Sequence, residues 1–129
     1  MPRYVILRHE LPQGHGFDAQ RATHWDLMLE CDGALRTWAL AEEPELGSSS
    51  DAEALADHRI AYLAYEGPVS ENRGFVTRRD AGHYELVSES DTTLELQIAG
   101  GNFAAYVTLK KGDGDHFWRV SFSALPTRG

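Results

Sequence analysis

Apolar and polar residues alternate with a period of two along most of this chain, and short turn sequences separate the alternating segments. Because side chains on a β-strand point alternately to its two faces, this pattern predicts strands with one buried face. Segments 23–31 and 34–40 are joined by Asp32-Gly33, a dipeptide that suits the type I′ turn of a hairpin. The other predicted strands are 3–8, 73–79 and 83–88, the last two linked by a turn at 80–82, and three segments around Leu96, Val107 and Val120.

A set of about eight short strands favours a barrel or a sandwich, because open sheet edges promote aggregation. We therefore predict a mainly β fold, a small closed or nearly closed β-barrel of about eight strands with one or two short helices. The best helical candidate is 57–66, with a turn near 51–55. The length of 129 residues suits a single domain over 1–129.

Composition limits the location and the partners of the protein. The single cysteine, Cys31, excludes an internal disulfide, and no apolar run approaches the roughly 18 residues of a membrane span. We therefore expect a cytoplasmic protein without membrane contact. The net charge of −8 disfavours broad, non-specific binding to nucleic acid. A local basic patch remains compatible with this charge, because salt screens it over about 10 Å at 0.1 M.

Two of the predicted strands carry residues that bind divalent metals. His9 follows the apolar segment 4–7, and His24 and Asp26 lie two residues apart in segment 23–31. Residues two apart point to the same side of a strand, so His24 and Asp26 can hold one ion while Trp25, Leu27, Leu29 and Cys31 face the core. His9 on a neighbouring strand would complete the set. Two imidazoles and one carboxylate leave positions open for water and substrate, as a catalytic metal requires.

A second pair of polar side chains lies in the predicted helix. His58 and Tyr62 are four residues apart, so they would stack on one helix face. Beside a metal, such a pair can donate protons or hydrogen bonds to an anionic substrate. Packing of Tyr62 against the barrel is the alternative that their spacing leaves open.

Taken in order, several motifs resemble the 3′-phosphoesterase domain of bacterial DNA ligase D. The resemblance covers most of the first 80 residues and, more weakly, the last strand. It rests on the strand that ends in His9, on the segments 24–30, 35–40 and 57–62, and on Tyr65-Glu66-Gly67. The resemblance implies a small β-barrel and a manganese-dependent enzyme of DNA end repair. Such enzymes remove a 3′-terminal ribonucleoside and then the 3′-phosphate, which leaves a 3′-hydroxyl for ligation.

Carried over by position, the resemblance makes His9, His24 and Asp26 the ligands of Mn²⁺ or another divalent metal. It makes His58 and Tyr62 the catalytic pair on the phosphate side. The implied partners are 3′ ends of DNA or of RNA-DNA strands, together with a ligase or polymerase.

Several substrate-binding residues of the family are replaced in this chain. Met28 stands where the family has an arginine that faces the scissile phosphate, Leu7 replaces a glutamine, and Glu42 corresponds to a lysine. Methionine does not bind phosphate, and an arginine makes charge-assisted, bidentate bonds that few other side chains reproduce. Arg8 and Arg21 are the candidates to replace the missing arginine.

The connection from His9 to His24 is longer than in the family and forms a loop that contains glycine and proline. His15 in this loop is a competing metal ligand. Two other functions remain open from the sequence. One is a catalytically weak or inactive descendant that binds a nucleic-acid end or a protein, and the other is a non-haem iron oxygenase, which uses the same two-histidine, one-carboxylate set.

Overall fold

Nine strands form one antiparallel sheet in the computed structural model, which describes residues 1–10, 23–69, 74–114 and 116–125. The elements of these residues are β1 (Arg3–Glu10), β2 (Thr23–Cys31), β3 (Ala34–Leu40), β4 (Ser49–Arg59), a 3₁₀ helix (Ile60–Leu63), β5 (Gly67–Pro68), β6 (Phe75–Glu89), β7 (Thr93–Gly100), β8 (Ala104–Lys111) and β9 (Phe117–Ser123).

Eight of these strands close into a barrel. The order is β1-β2-β3-β4-β9-β8-β7-β6, and a further pairing of β6 with β1 joins the two ends. The two-residue strand β5 is added to β6 alone and lies outside this ring. Closure leaves the barrel strands without a free edge, which is the reason a set of short strands favours it. The predicted fold class is confirmed.

The interior of the barrel is filled by apolar side chains from every one of its eight strands. A barrel of this size has an interior that its own side chains can fill. Among the largest fully buried side chains of this cluster are Tyr4, Ile6, Leu27, Leu96 and Phe122. As predicted, Leu27 and Leu29 face this core and Trp25 packs at its border, whereas Cys31 at the end of β2 is partly exposed. A filled interior has no space for a ligand.

A second apolar cluster lies on the other face of the sheet. Its fully buried members come from four adjacent strands: Val5, Leu7, Met28, Leu35 and Val76. Each alternates along its strand with residues of the barrel interior, so this cluster is on the outside. It is buried because the chain from the 3₁₀ helix to Val69 packs over it through Tyr62, Leu63 and Val69. The chain from the 3₁₀ helix to Val69 therefore covers part of the outer face of β1 and β2.

The predicted hairpin between β2 and β3 is present. Asp32 and Gly33 have φ values of 52° and 79°, and the residues on either side of them, Cys31 and Ala34, are paired. Positive φ at both central positions is the requirement of a type I′ turn. This hairpin sets the register that places Asp26 opposite Ala39.

The predicted turn at 80–82 was wrong, because β6 runs without a break from Phe75 to Glu89. Pairing with β1 shifts register between Ile6 and Leu7, which accommodates one extra residue, Arg79, on β6. Gly82 does not form a turn but allows β6 to pack closely against β7, since a Cβ there would collide with the backbone of Ala99 on β7. Glycine in a strand commonly marks such an approach of two backbones.

The predicted helix at 57–66 was also wrong in its extent, and the predicted turn at 51–55 is strand. β4 continues to Arg59, and only Ile60–Leu63 form a 3₁₀ helix. Pairing of Leu35 with His58 and of Ala34 with Arg59 extends the sheet through the start of the predicted helix. A ten-residue helix has little stability of its own, so pairing between β3 and β4 determines the structure here.

In the described part of the chain, no helix is long and apolar enough to span a membrane.

A buried polar contact ties β1 to β6 where the barrel closes. The Tyr4 hydroxyl donates to Asp80 Oδ2 at 2.6 Å, and Asp80 Oδ1 accepts from the backbone N–H of Asn102. Both side chains are buried, and burial followed by the bond to Asp80 raises the pKa of Tyr4. Gly100 leaves the space for this contact, since a Cβ there would collide with both groups. Buried carboxylates need such partners.

We expect Tyr4→Phe to lower the free energy of unfolding by about 2 kcal/mol, because it removes one partner of a buried carboxylate and keeps the ring. Urea unfolding followed by tryptophan fluorescence measures this. Tyr106→Phe is the matched control, since its hydroxyl meets Glu95 at 3.2 Å near the surface, and we expect it to cost less than about 0.5 kcal/mol. Equal losses in the two variants would contradict a special role for the Tyr4 contact.

Candidate metal centre and its cavity

His9, His24 and Asp26 meet on the outer face of the barrel. Asp26 Oδ2 lies 3.3 Å from His9 Nδ1, and Asp26 Oδ1 lies 3.2 Å from His24 Nε2. The two imidazole centroids are 4.7 Å apart. One possible ligand atom from each residue lies within 4.8 Å of the others. We refer to these three residues as the triad.

Strand pairing explains how the triad forms. His9 on β1 is the direct partner of His24 on β2, and Asp26 pairs with Leu7, two residues before His9. His24, Asp26 and Met28 share the outer face of β2, because the residues between them face the barrel interior. A period of two within β2 and one antiparallel pairing are thus enough to bring the three side chains together.

The environment of Asp26 keeps its carboxylate ionised. Burial, the largest influence, would by itself raise the pKa of Asp26, but contacts with His24 and His9 and their positive charge together outweigh it. The result is a pKa of about 2, below the ordinary value of 3.8. A carboxylate that is only 3% exposed requires positive charge beside it. Either protonated imidazoles or a bound cation can supply that charge.

The donor atoms of the triad fit a divalent metal. His24 Nδ1 is a buried polar atom without a hydrogen-bond partner in the described residues, and buried Asp26 Oδ1 has only its ion-pair contact with His24 Nε2 and no hydrogen bond to these residues. Buried polar atoms are otherwise almost always paired, so such orphans point to a missing partner. Two imidazole nitrogens and a carboxylate oxygen are donors that first-row divalent metals accept. These observations support the triad as a metal site.

Two residues of the triad, His9 and Asp26, open onto a cavity of ≈ 720 Å³ on the outer face of the barrel. Its walls combine the triad residues His9 and Asp26 with apolar side chains, and they include both His58 and Tyr62. The His58 and Tyr62 rings meet edge to face with centroids 5.8 Å apart. The structure therefore brings together five predicted site residues: the triad around its ligand atoms, and the pair of His58 and Tyr62 in the adjoining cavity.

A β-bulge places His58 in this cavity. Leu35 pairs with His58 and Thr37 pairs with Leu55, so two residues of β4, Ala56 and Asp57, lie opposite Arg36 alone. The extra residue puts His58 on the same outer face as Leu55, and bulges commonly redirect a side chain in this way. His58 Nδ1 then lies 2.9 Å from the carbonyl oxygen of Ala56. The bulge and the 3₁₀ helix, instead of the predicted α-helix, bring the side chains of His58 and Tyr62 together.

The two predicted substrate-binding arginines are not in the cavity walls. Arg8 pairs with Glu10 and alternates with His9, so it lies on the opposite face of β1. Arg21 and the competing ligand His15 lie outside the described residues. Met28 is 1% exposed and lines the cavity floor within the outer apolar cluster, so no cation comes from that position.

Arg59 is a cavity residue that the sequence reasoning did not assign. It ends β4 directly after His58 and is one of the residues that line the same cavity. Tyr65, 37% exposed, also contributes to the wall, and its ring meets that of Tyr62 at 5.7 Å. The sequence signal that could have found Arg59 is its position directly after His58.

The fold and the triad together define a small β-barrel protein with a candidate divalent-metal site on its outer face. Residues 14–115 match the DNA ligase D 3′-phosphoesterase domain family. The chain belongs to this family, which is a family of phosphoesterases.

A protein similar to this chain is the multifunctional non-homologous end joining DNA repair protein LigD of Mycobacterium tuberculosis. The two are 27% identical over an alignment of 106 residues that covers 75% of this chain. The matched region is only 14% of the length of the mycobacterial protein. The chain thus corresponds to a small part of that larger repair protein.

We expect His24→Ala and Asp26→Ala each to abolish binding of Mn²⁺, because each removes one of three protein ligands. Isothermal titration calorimetry of metal-stripped protein measures this. His83→Ala is the matched control, since His83 is an exposed histidine of β6 that does not line the cavity. Unchanged manganese affinity in the two triad variants would exclude the triad as the metal site.

Acid should destabilise the metal-free protein through Asp26. Its pKa of about 2 in the folded state lies below the ordinary 3.8, so the unfolded chain takes up this proton first as pH falls. The stabilisation, about 2 kcal/mol, is complete above a pH of about 5 and is lost as pH falls through the folded-state pKa. Urea unfolding between pH 2 and 6 should show a shallower pH dependence for Asp26→Asn than for wild type. Asp91→Asn, in an exposed turn, is the control, and equal slopes for wild type and Asp26→Asn would contradict the prediction.

Proposed function

We propose that this protein is a divalent-metal-dependent 3′-end phosphoesterase that processes DNA or RNA-DNA 3′ termini in DNA end repair. It would remove a 3′-terminal ribonucleoside and a 3′-phosphate. The observation that carries the proposal is the opening of the triad into a cavity whose wall holds His58 and Tyr62. Membership of the phosphoesterase family supports the same chemistry.

In this proposal His9, His24 and Asp26 hold the metal, and manganese is the cation that the family resemblance favours. A bound divalent cation supplies charge neutralisation at phosphate oxygens and makes water more acidic. The burial of Asp26 beside two imidazoles supports this role, because a buried carboxylate needs positive charge next to it and a bound cation would supply that charge.

His58 is suited to move a proton at the phosphate. A carbonyl oxygen only accepts hydrogen bonds, so the contact with Ala56 makes Nδ1 the donor and leaves Nε2 to give or take a proton. An imidazole oriented in this way is a general acid or base near neutral pH. Tyr62, whose hydroxyl makes no hydrogen bond with the described residues, can donate to a phosphate oxygen as charge develops.

The finer parts of the proposal concern the setting of the reaction. The product 3′-hydroxyl would be used by a ligase or polymerase, which we propose as partners acting on the same end. We propose a cytoplasmic location and a single domain over residues 1–129. Closure of one sheet by strands that span residues 3–123 supports the single domain.

A second candidate function is binding of a nucleic-acid end or a protein without turnover. Met28 favours it, because the cavity floor carries a thioether where the family has a phosphate-binding arginine. The two candidates make opposite predictions for turnover on the same substrates.

We expect the manganese-loaded protein to release phosphate from a 3′-phosphorylated primer and to shorten a primer that ends in a 3′-ribonucleotide. Chelation with EDTA should abolish both activities. His58→Ala should lower kcat by about 10²- to 10⁴-fold, the usual effect of losing a general acid or base. Gel electrophoresis and phosphate release measure these rates.

His83→Ala is the control for the loss of an imidazole elsewhere on the barrel, and its rates should equal those of wild type. A wild-type protein that binds manganese and the primers but releases nothing would exclude the enzyme and favour the binding module. Equal kcat values for His58→Ala and wild type would remove His58 from the mechanism.

A further inference from the structure

Arg59 is the one lysine or arginine among the described residues that line the cavity. It is the last residue of β4, directly after His58, and it is exposed at the cavity wall. Arg59 therefore borders the same space as His9, Asp26 and His58.

Ion pairing distinguishes Arg59 from most arginines of the described residues. Five of the seven pair with a carboxylate: Arg3, Arg8, Arg36, Arg79 and Arg119. Among the described residues, Arg59 and Arg78 are the arginines whose side chains make no ion pair, and of these two Arg59 lines the cavity. Asp57 lines the same cavity two residues earlier, yet it makes no ion pair with Arg59. In a chain with a net charge of −8, a guanidinium that no carboxylate neutralises remains available to an anion from outside.

The other groups of the cavity leave a need for such a cation. Met28 and Val76 are buried apolar residues of its wall. The Tyr65 hydroxyl donates to the carbonyl oxygen of Pro68, and His58 Nδ1 is directed to Ala56. A phosphate group in this cavity would thus find few donors with a permanent positive charge. The guanidinium offers several N–H groups in a planar fork that matches phosphate oxygens.

We propose that Arg59 binds the 3′-phosphate group of the substrate and is the residue that gives the cavity its preference for a phosphorylated strand end. The proposal rests on the proposed function, because it concerns the anion that the same cavity receives. Arg59 then supplies, from the end of β4, the cationic contact that Met28 on β2 does not make. Arg8 is not among the residues that line the cavity and pairs with Glu10, so it does not compete for this role.

Equilibrium binding tests Arg59 separately from catalysis. We would measure fluorescence anisotropy of two labelled oligonucleotides, identical except for a 3′-phosphate or a 3′-hydroxyl, first in EDTA and then with Mn²⁺. Wild type should prefer the 3′-phosphate, and Arg59→Ala should bind that oligonucleotide about 10- to 100-fold more weakly, the usual effect of losing a charge-assisted contact. The 3′-hydroxyl oligonucleotide should change by less than about threefold.

Two further variants show whether a specific contact is lost. Lys110→Ala on β8 removes the same charge from an exposed position outside the cavity, and its preference for the 3′-phosphate should equal that of wild type. Arg59→Lys keeps the charge without the fork, so it should recover only part of the affinity. Manganese affinity, measured by calorimetry, should change by less than about twofold in all three variants, because none removes a triad ligand.

The outcomes separate this inference from the proposed function. A wild-type preference for the 3′-phosphate that persists in Arg59→Ala overturns the role of Arg59 and leaves the phosphoesterase proposal intact. A wild type without any such preference, and without turnover, overturns both. An equal loss in Arg59→Ala and Lys110→Ala shows general electrostatic attraction and also overturns the specific contact.

Discussion

Side chains fill the interior of this eight-stranded barrel, and that constraint decides where a site can form. Sixteen residues of the described strands make one buried cluster inside the ring, from Tyr4 on β1 to Phe122 on β9. A ligand must therefore bind on the outer face, which solvent would normally cover. The apolar residues of β1 and β2 next to the triad are buried there because the chain from the 3₁₀ helix to Val69 packs over them. Packing of this cover also forms the cavity, so barrel and site are linked energetically.

The candidate site combines a rigid part and a part that depends on local irregularity. His9, His24 and Asp26 belong to paired strands, and strand geometry holds them within ligand distance of one ion. His58 reaches the cavity only through the bulge in β4, and Tyr62 only through the turn that follows. Sites on strands hold ligand atoms firmly. A change in the bulged segment can therefore move His58 and Tyr62 without moving the triad.

Sequence reasoning was accurate where the pattern was local and regular. Alternation predicted the strands and the face shared by His24 and Asp26, and Asp32-Gly33 predicted its hairpin. It was wrong at 80–82, where glycine allows two strands to approach, and at 57–66, where pairing with β3 replaces an α-helix. Both errors have one cause. A glycine, or two residues spaced four apart, is compatible with more than one local structure, and pairing with a strand distant in the sequence selects the structure that forms.

By itself, the sequence determined which side chains lie on one face of each strand, because the period of a strand depends only on its own backbone. It thereby indicated that His24 and Asp26, two members of the candidate metal site, share one face of their strand. Tertiary structure alone decided that this face is the outer one, that β6 closes the ring against β1, and that Arg59 rather than Arg8 lines the cavity. These features depend on pairing between residues far apart in the chain, and the order of strands in a closed sheet cannot be read from local periodicity.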